Sequence, residues 1–136
     1  MKTGREAAVD PAMSTVKTVL IVDDSASFRR QVKQTLEAAN FDVVEAEDGE
    51  RGLAVARERP IHAMLVDVNM PIMGGLEMIS KVRAMPQHHT TPIFVVTTES
   101  GTMEAKQGKS AGATAWIVKP IKADALIQAL HRVAGA

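Results

Sequence analysis

The sequence contains no cysteine, which excludes a disulfide framework, a thiolate zinc site and a cysteine nucleophile. It has no excess of either charge. Lys plus Arg and Asp plus Glu number 16 each, so no bulk field gathers nucleic acid or an anionic membrane. No apolar run approaches the length of a membrane span, and the first residues lack the hydrophobic core of a signal peptide. Internal repeats and low-complexity segments are also missing. What remains is a chain of 136 residues, 46% of them apolar. That is enough for one compact core and too apolar for disorder. The polar, aperiodic stretch 1–14 reads as a disordered tail, with Met13 as a second candidate start, and the folded domain is expected over 15–136.

Apolar runs then alternate with helical patterns. Val19, Leu20, Ile21 and Val22 have no polar break, as in a strand covered on both faces. Phe28, Val32 and Leu36 follow on one helical stripe, with Ser25 at the N-cap position and Asn40 at the close. Residues 41–45 read as a second strand. Asp48-Gly49 turns into a helix that carries Leu53 and Ala56 and stops before Pro60. A third strand over 62–66 ends in Asp67. Gly74-Gly75 precedes a helix with Leu76, Ile79 and Val82 on one face. Residues 85–91 read as a polar loop and 92–96 as a fourth strand ending in Thr97-Thr98. The Gly- and Ala-rich segment 101–112 is a marginal helix. A last strand, 116–118, is ended by Lys119-Pro120, and Leu126, Ile127, Leu130 and Val133 mark the final helix. Five strands alternating with five helices imply an α/β protein: a doubly wound parallel sheet covered on both faces.

In such a sheet, ligands bind at the carboxyl ends of the strands, beside the switch point. Asp23 and Asp24 stand at the end of the first strand, Asp67 at the third, Thr97 at the fourth and Lys119 at the fifth. Taken singly, each has a bland reading as a turn former, strand residue or surface charge. Their joint placement at one edge marks a site. Three carboxylates in one cleft stay ionised only if a cation joins them. All the candidate ligands are oxygens, which points to Mg²⁺, and Lys119 adds positive charge from the other side. His62, His88, His89 and His131 show no ligand spacing. The basic run 106–109 reads as a solvated helix face, and Trp116, by itself, as a core aromatic.

The motifs VDDS (22–25), LVDVNMPIMGG (65–75), VVTTES (95–100) and GATAWIVKP (112–120) carry a family resemblance in their order and spacing. The chain resembles the receiver domain of bacterial two-component response regulators, particularly the single-domain chemotaxis (CheY-type) proteins. The resemblance implies a flavodoxin-like fold with strand order 2-1-3-4-5. It implies that Asp67 accepts a phosphoryl group from a phosphohistidine on a chemotaxis-type sensor histidine kinase. Asp23 and Asp24 would hold Mg²⁺ together with Asp67 and the backbone carbonyl of Asn69. Thr97 and Lys119 would contact the phosphoryl oxygens, with Lys119-Pro120 as a cis peptide. Asn69 and Glu99 occupy positions that influence the dephosphorylation rate. Thr97 and Trp116 would form the switch, reshaping a face made by the fourth helix, fifth strand and last helix. The target of that face would be the flagellar motor switch protein or another protein. The resemblance also implies a cytoplasmic monomer, without nucleic-acid or membrane partners, that catalyses only its own phosphorylation and slow dephosphorylation. Two positions depart from the family pattern. Trp116 stands where Tyr or Phe is usual, and Thr98 where Ala is common, which narrows the slot for an inward indole.

Other functions fit the same residues less well. A phosphate sink or phosphorelay intermediate outside motility would keep every one of them. A haloacid-dehalogenase-like phosphatase would need a second Asp as general acid/base where this chain has the neutral amide of Asn69. Flavin binding would need a Ser/Thr/Gly-rich loop after the first strand, which is missing.

Overall fold

Val19, Leu20, Ile21 and Val22 are all completely buried, because both faces of their strand are covered. The computed structural model describes residues 16–98 and 111–134. It contains strands β1 (Thr18–Val22), β2 (Asp42–Ala46), β3 (Ala63–Asp67), β4 (Ile93–Thr97) and β5 (Ala115–Val118). Its helices are α1 (Ala26–Ala38), α2 (Gly49–Glu58), α3 (Gly75–Arg83) and α4 (Ala123–Ala134). The sheet runs β2-β1-β3-β4-β5 with every pairing parallel, so the expected strand order holds.

Alternate residues of β1 feed two separate cores. Leu20 and Val22 join Leu53 and Ala56 of α2 and Met78, Ile79 and Val82 of α3. Val19 and Ile21 join Val32 and Leu36 of α1 and Leu126 and Leu130 of α4. Each fully buried Leu or Ile contributes about 1.5–3 kcal/mol by leaving water. That is why the fully buried run Val19–Val22 contains no polar residue.

Local chemistry sets the helix ends. The Ser25 hydroxyl accepts a hydrogen bond from the Phe28 N–H at 3.2 Å, capping α1. At the other end Asn40 takes φ 69°. Its N–H donates to the Glu37 carbonyl at 3.1 Å and that of Phe41 to Leu36 at 3.0 Å, the two bonds that close a helix through a left-handed residue. Asp48 caps α2, its carboxylate accepting from the Arg51 N–H at 2.8 Å. Gly75 opens α3 directly against β3. A Cβ there would collide with the Asp67 carbonyl oxygen, so no other residue fits.

Strands β2, β3 and β4 each begin one residue later than the apolar runs suggest, and β5 one residue earlier; fraying of this size is ordinary. The loop expected over 85–91 is more ordered than its polarity implies. It holds a 3₁₀ turn, Pro86–His88, and His88 is buried. Four helices stand among the described residues where five were expected. The expected fourth, 101–112, with its basic run 106–109, lies almost wholly outside the described residues, as do the tail 1–14 and Glu99.

Candidate functional site

The sheet reverses its winding between β1 and β3, and the two strands pair with Val22 opposite Val66. The next residue on each is an aspartate, so Asp23 and Asp67 come side by side. Asp23 is 1% exposed and Asp67 8%, while Asp24 points to solvent. Carboxylate oxygens of all three lie within 4.8 Å of one another.

Several groups hold Asp23 in place. One carboxylate oxygen accepts from the Ser25 N–H at 2.8 Å and the other from Lys119 Nζ at 2.8 Å. The guanidinium of Arg29 donates to the Asp23 backbone carbonyl and pairs with Glu45 of β2 at 3.0 Å. Lys119 Nζ also stands 3.9 Å from Asp67 and 4.2 Å from the centre of the Phe28 ring, a cation–π distance. Lys119 follows β5 through its N–H bond to the Thr97 carbonyl at 2.7 Å, and the Lys119–Pro120 peptide is cis.

One ammonium against three carboxylates leaves a surplus of negative charge. Burial first, then the Asp23 carboxylate, push the Asp67 carboxyl up from 3.8 to about 6, with Asp24 adding to the shift and Lys119 opposing it. A hard divalent cation suits this donor set: close-set carboxylate oxygens, with no nitrogen or sulfur ligand among the described residues of the cluster.

The structure therefore brings together Asp23, Asp24, Asp67 and Lys119. Thr97 is buried at the end of β4, opposite Val118 of β5. Asn69 is exposed two residues beyond Asp67. Trp116 is half-buried on β5 and packs on the core shared by α2 and α3. Two contributors lie outside the strand-end pattern. Phe28 reads as part of the apolar stripe of α1, and Arg29 belongs to no motif. Their place in the first turn after the acidic pair was the available signal.

The response regulator receiver domain family matches residues 19–131. The chain is 40% identical over 119 residues to the chemotaxis protein CheY homolog of Campylobacter jejuni, covering 86% of this chain and 92% of that protein. It is 38% identical over 119 residues to chemotaxis protein CheY1 of Helicobacter pylori, covering 86% and 96%. The solved structure of chemotaxis protein CheY4 of Vibrio cholerae superposes with a TM-score of 0.83 at 42% identity, over 87% of this chain and 98% of that one. Sequence and fold agree along nearly the whole described length, and the chain belongs to the response regulator receiver domain family as a CheY-type protein.

Proposed function

We propose that this chain is a signalling switch that takes a phosphoryl group onto Asp67 from a sensor histidine kinase, in chemotaxis, and answers with a change of protein-binding surface. The observation that carries the reading is the electrostatics around Asp67: a nearly buried carboxylate raised to about 6 by burial and by its acidic neighbours, with a single lysine at 3.9 Å. That surplus of negative charge supports a site completed by Mg²⁺, held by Asp23, Asp24 and Asp67 with the Asn69 backbone carbonyl. When bound, the ion would neutralise charge on the acids and on the phosphoryl oxygens.

The chain's own residues supply positioning. An ionised Asp67 oxygen forms the new bond to phosphorus as the bond from phosphorus to the donor imidazole nitrogen breaks. The electron pair stays on that nitrogen, which takes up a proton. Lys119, already aimed into the cleft by Asp23, follows the charge as it builds on the transferred group. Phosphorylated Asp67 carries more negative charge and more acceptor oxygens than the free acid. Thr97 is drawn toward them, and Trp116 turns in response, which shifts the population between two forms of the surface around β5 and α4. No multiple turnover of a phosphomonoester is expected, because Asn69 offers no proton where a phosphatase needs one.

The kinship to chemotaxis proteins supports a cytoplasmic monomer whose target is the flagellar motor switch. A phosphate sink or relay intermediate is the neighbouring reading. No described helix is long and apolar enough to cross a membrane. Acetyl phosphate with Mg²⁺ should add the mass of one phosphoryl group to the parent chain and shift Trp116 fluorescence, and Asp67→Asn should do neither. A parent chain that gains no mass, or an Asp67→Asn variant that gains it equally, overturns the reading.

A further inference from the structure

Ile72 is the most exposed large apolar side chain among the described residues, at 75%, and it holds φ 70°. The Met73 N–H donates to the Pro71 carbonyl at 2.7 Å, so Ile72 is the central residue of a γ-turn with positive φ. For a β-branched residue that backbone is a genuine outlier. Asn or Gly would make the same turn with far less strain. Here a strained backbone places an isoleucine in water, a cost the fold itself does not require.

The loop that carries Ile72 is held at several points. Met70 and Met73 pack on the core beside α2 and α3. The Gly49 Cα abuts Met73, where a Cβ would lie 2.7 Å from its carbonyl oxygen. The Gly75 N–H donates to the Val68 carbonyl at 2.9 Å, which brings the far end of the loop back beside Asp67. Ile72 is three residues from Gly75, a span of at most roughly 10 Å. The outward isoleucine is thus fixed on the rim around an aspartate that is itself 8% exposed.

We infer that Ile72 is an apolar anchor for the protein that delivers the phosphoryl group, meeting an apolar patch beside the donor's phosphohistidine. This rests on the phosphoacceptor reading of Asp67. A small phosphodonor reaches a recessed carboxylate without touching the rim. A folded donor has to seat its surface on the rim to bring phosphorus within bonding distance. Stable contacts concentrate in a few side chains excluded from water on docking, and among the described residues Ile72 is the large apolar side chain held out on this rim.

The test compares two donors on three chains: the parent, Ile72→Asn, which relieves the turn and removes the apolar surface, and Ile72→Val, which keeps both. The donors are acetyl phosphate and a purified, autophosphorylated chemotaxis histidine kinase chosen because it labels the parent. Ile72→Asn should take phosphate from acetyl phosphate at the parent's rate and lose about tenfold in kcat/KM with the kinase, mostly through KM. Ile72→Val should stay near the parent with both. Its thermal midpoint should show that Ile72→Asn is folded and at least as stable as the parent. Equal rates for parent and Ile72→Asn with the kinase overturn the proposal, as does an equal loss with both donors. If acetyl phosphate and every chemotaxis histidine kinase screened leave the parent unlabelled, the phosphoacceptor reading is refuted instead.

Discussion

At the amino end of the sheet, the guanidinium of Arg83 donates to the carbonyls of Gly112, His88 and Thr91 at 2.9, 2.8 and 2.7 Å. At the carboxyl end, two buried carboxylates share one ammonium, and a third carboxylate stands beside them. His88 belongs to the first arrangement. Its Nε2–H donates to the Ala56 carbonyl at 2.8 Å, and Nδ1 accepts from the Thr91 hydroxyl at 2.9 Å. These polar groups find their partners inside the chain, and the network ties α2, α3 and the approaches to β4 and β5 together. The acids at the opposite end do not neutralise one another, and burial together with the neighbouring carboxylates raises the pKa of Asp67. Burial of polar groups is common to both ends. Completeness separates them: a closed network stabilises the fold, and an open one is a place for something to bind.

The comparison breaks most visibly at the closed end. Arg83→Ala should cost about 2–4 kcal/mol, because three carbonyls lose their donor at once. A lowered urea midpoint with unchanged slope would register it, while the folded fraction still accepts phosphate from acetyl phosphate. An unchanged midpoint would mean the network is not structural.

The open end should respond in the opposite direction. In metal-free protein Asp67→Asn should stabilise by about 1–2 kcal/mol near neutral pH, after discounting for solvent around the cleft. The sign follows from the raised pKa. Between about 4 and 6 the folded parent binds more protons than the unfolded chain, so its stability falls as pH rises through that window. The gap to Asp67→Asn should therefore be near zero at pH 4 and full above pH 7, and Mg²⁺ should close it by stabilising the parent. Denaturant melts across pH, with and without the ion, measure this directly. The smallest effect should come from Ser25→Ala. It removes the cap bond to Phe28 for about 1 kcal/mol and leaves the pH dependence of stability unchanged, which separates helix capping from charge crowding in the same loop.

Much of the site was legible because it obeys a rule of position. Asp23, Asp67, Thr97 and Lys119 each stand at the end of an apolar run, and a parallel sheet collects those ends at one edge. The rest was not legible for particular reasons. His88 sits in a polar stretch whose composition resembles any loop, and its burial depends on a carbonyl 32 residues away. Arg83 is one cation at the end of an amphipathic helix. Its partners come from the loop after α3 and from the approach to β5. The strain at Ile72 is a property of backbone angles that no residue pattern announces.

Hydrophobic periodicity, a local signal written residue by residue, laid down the strands, the two apolar faces of the sheet and the strand ends that carry the acids. Which polar groups are satisfied, how far Asp67 is driven from an ordinary carboxylate, and which side chain is held out on the rim emerge from the folded arrangement alone. Those depend on distances between segments far apart in the chain, and electrostatic and hydrogen-bond energies are set by such distances.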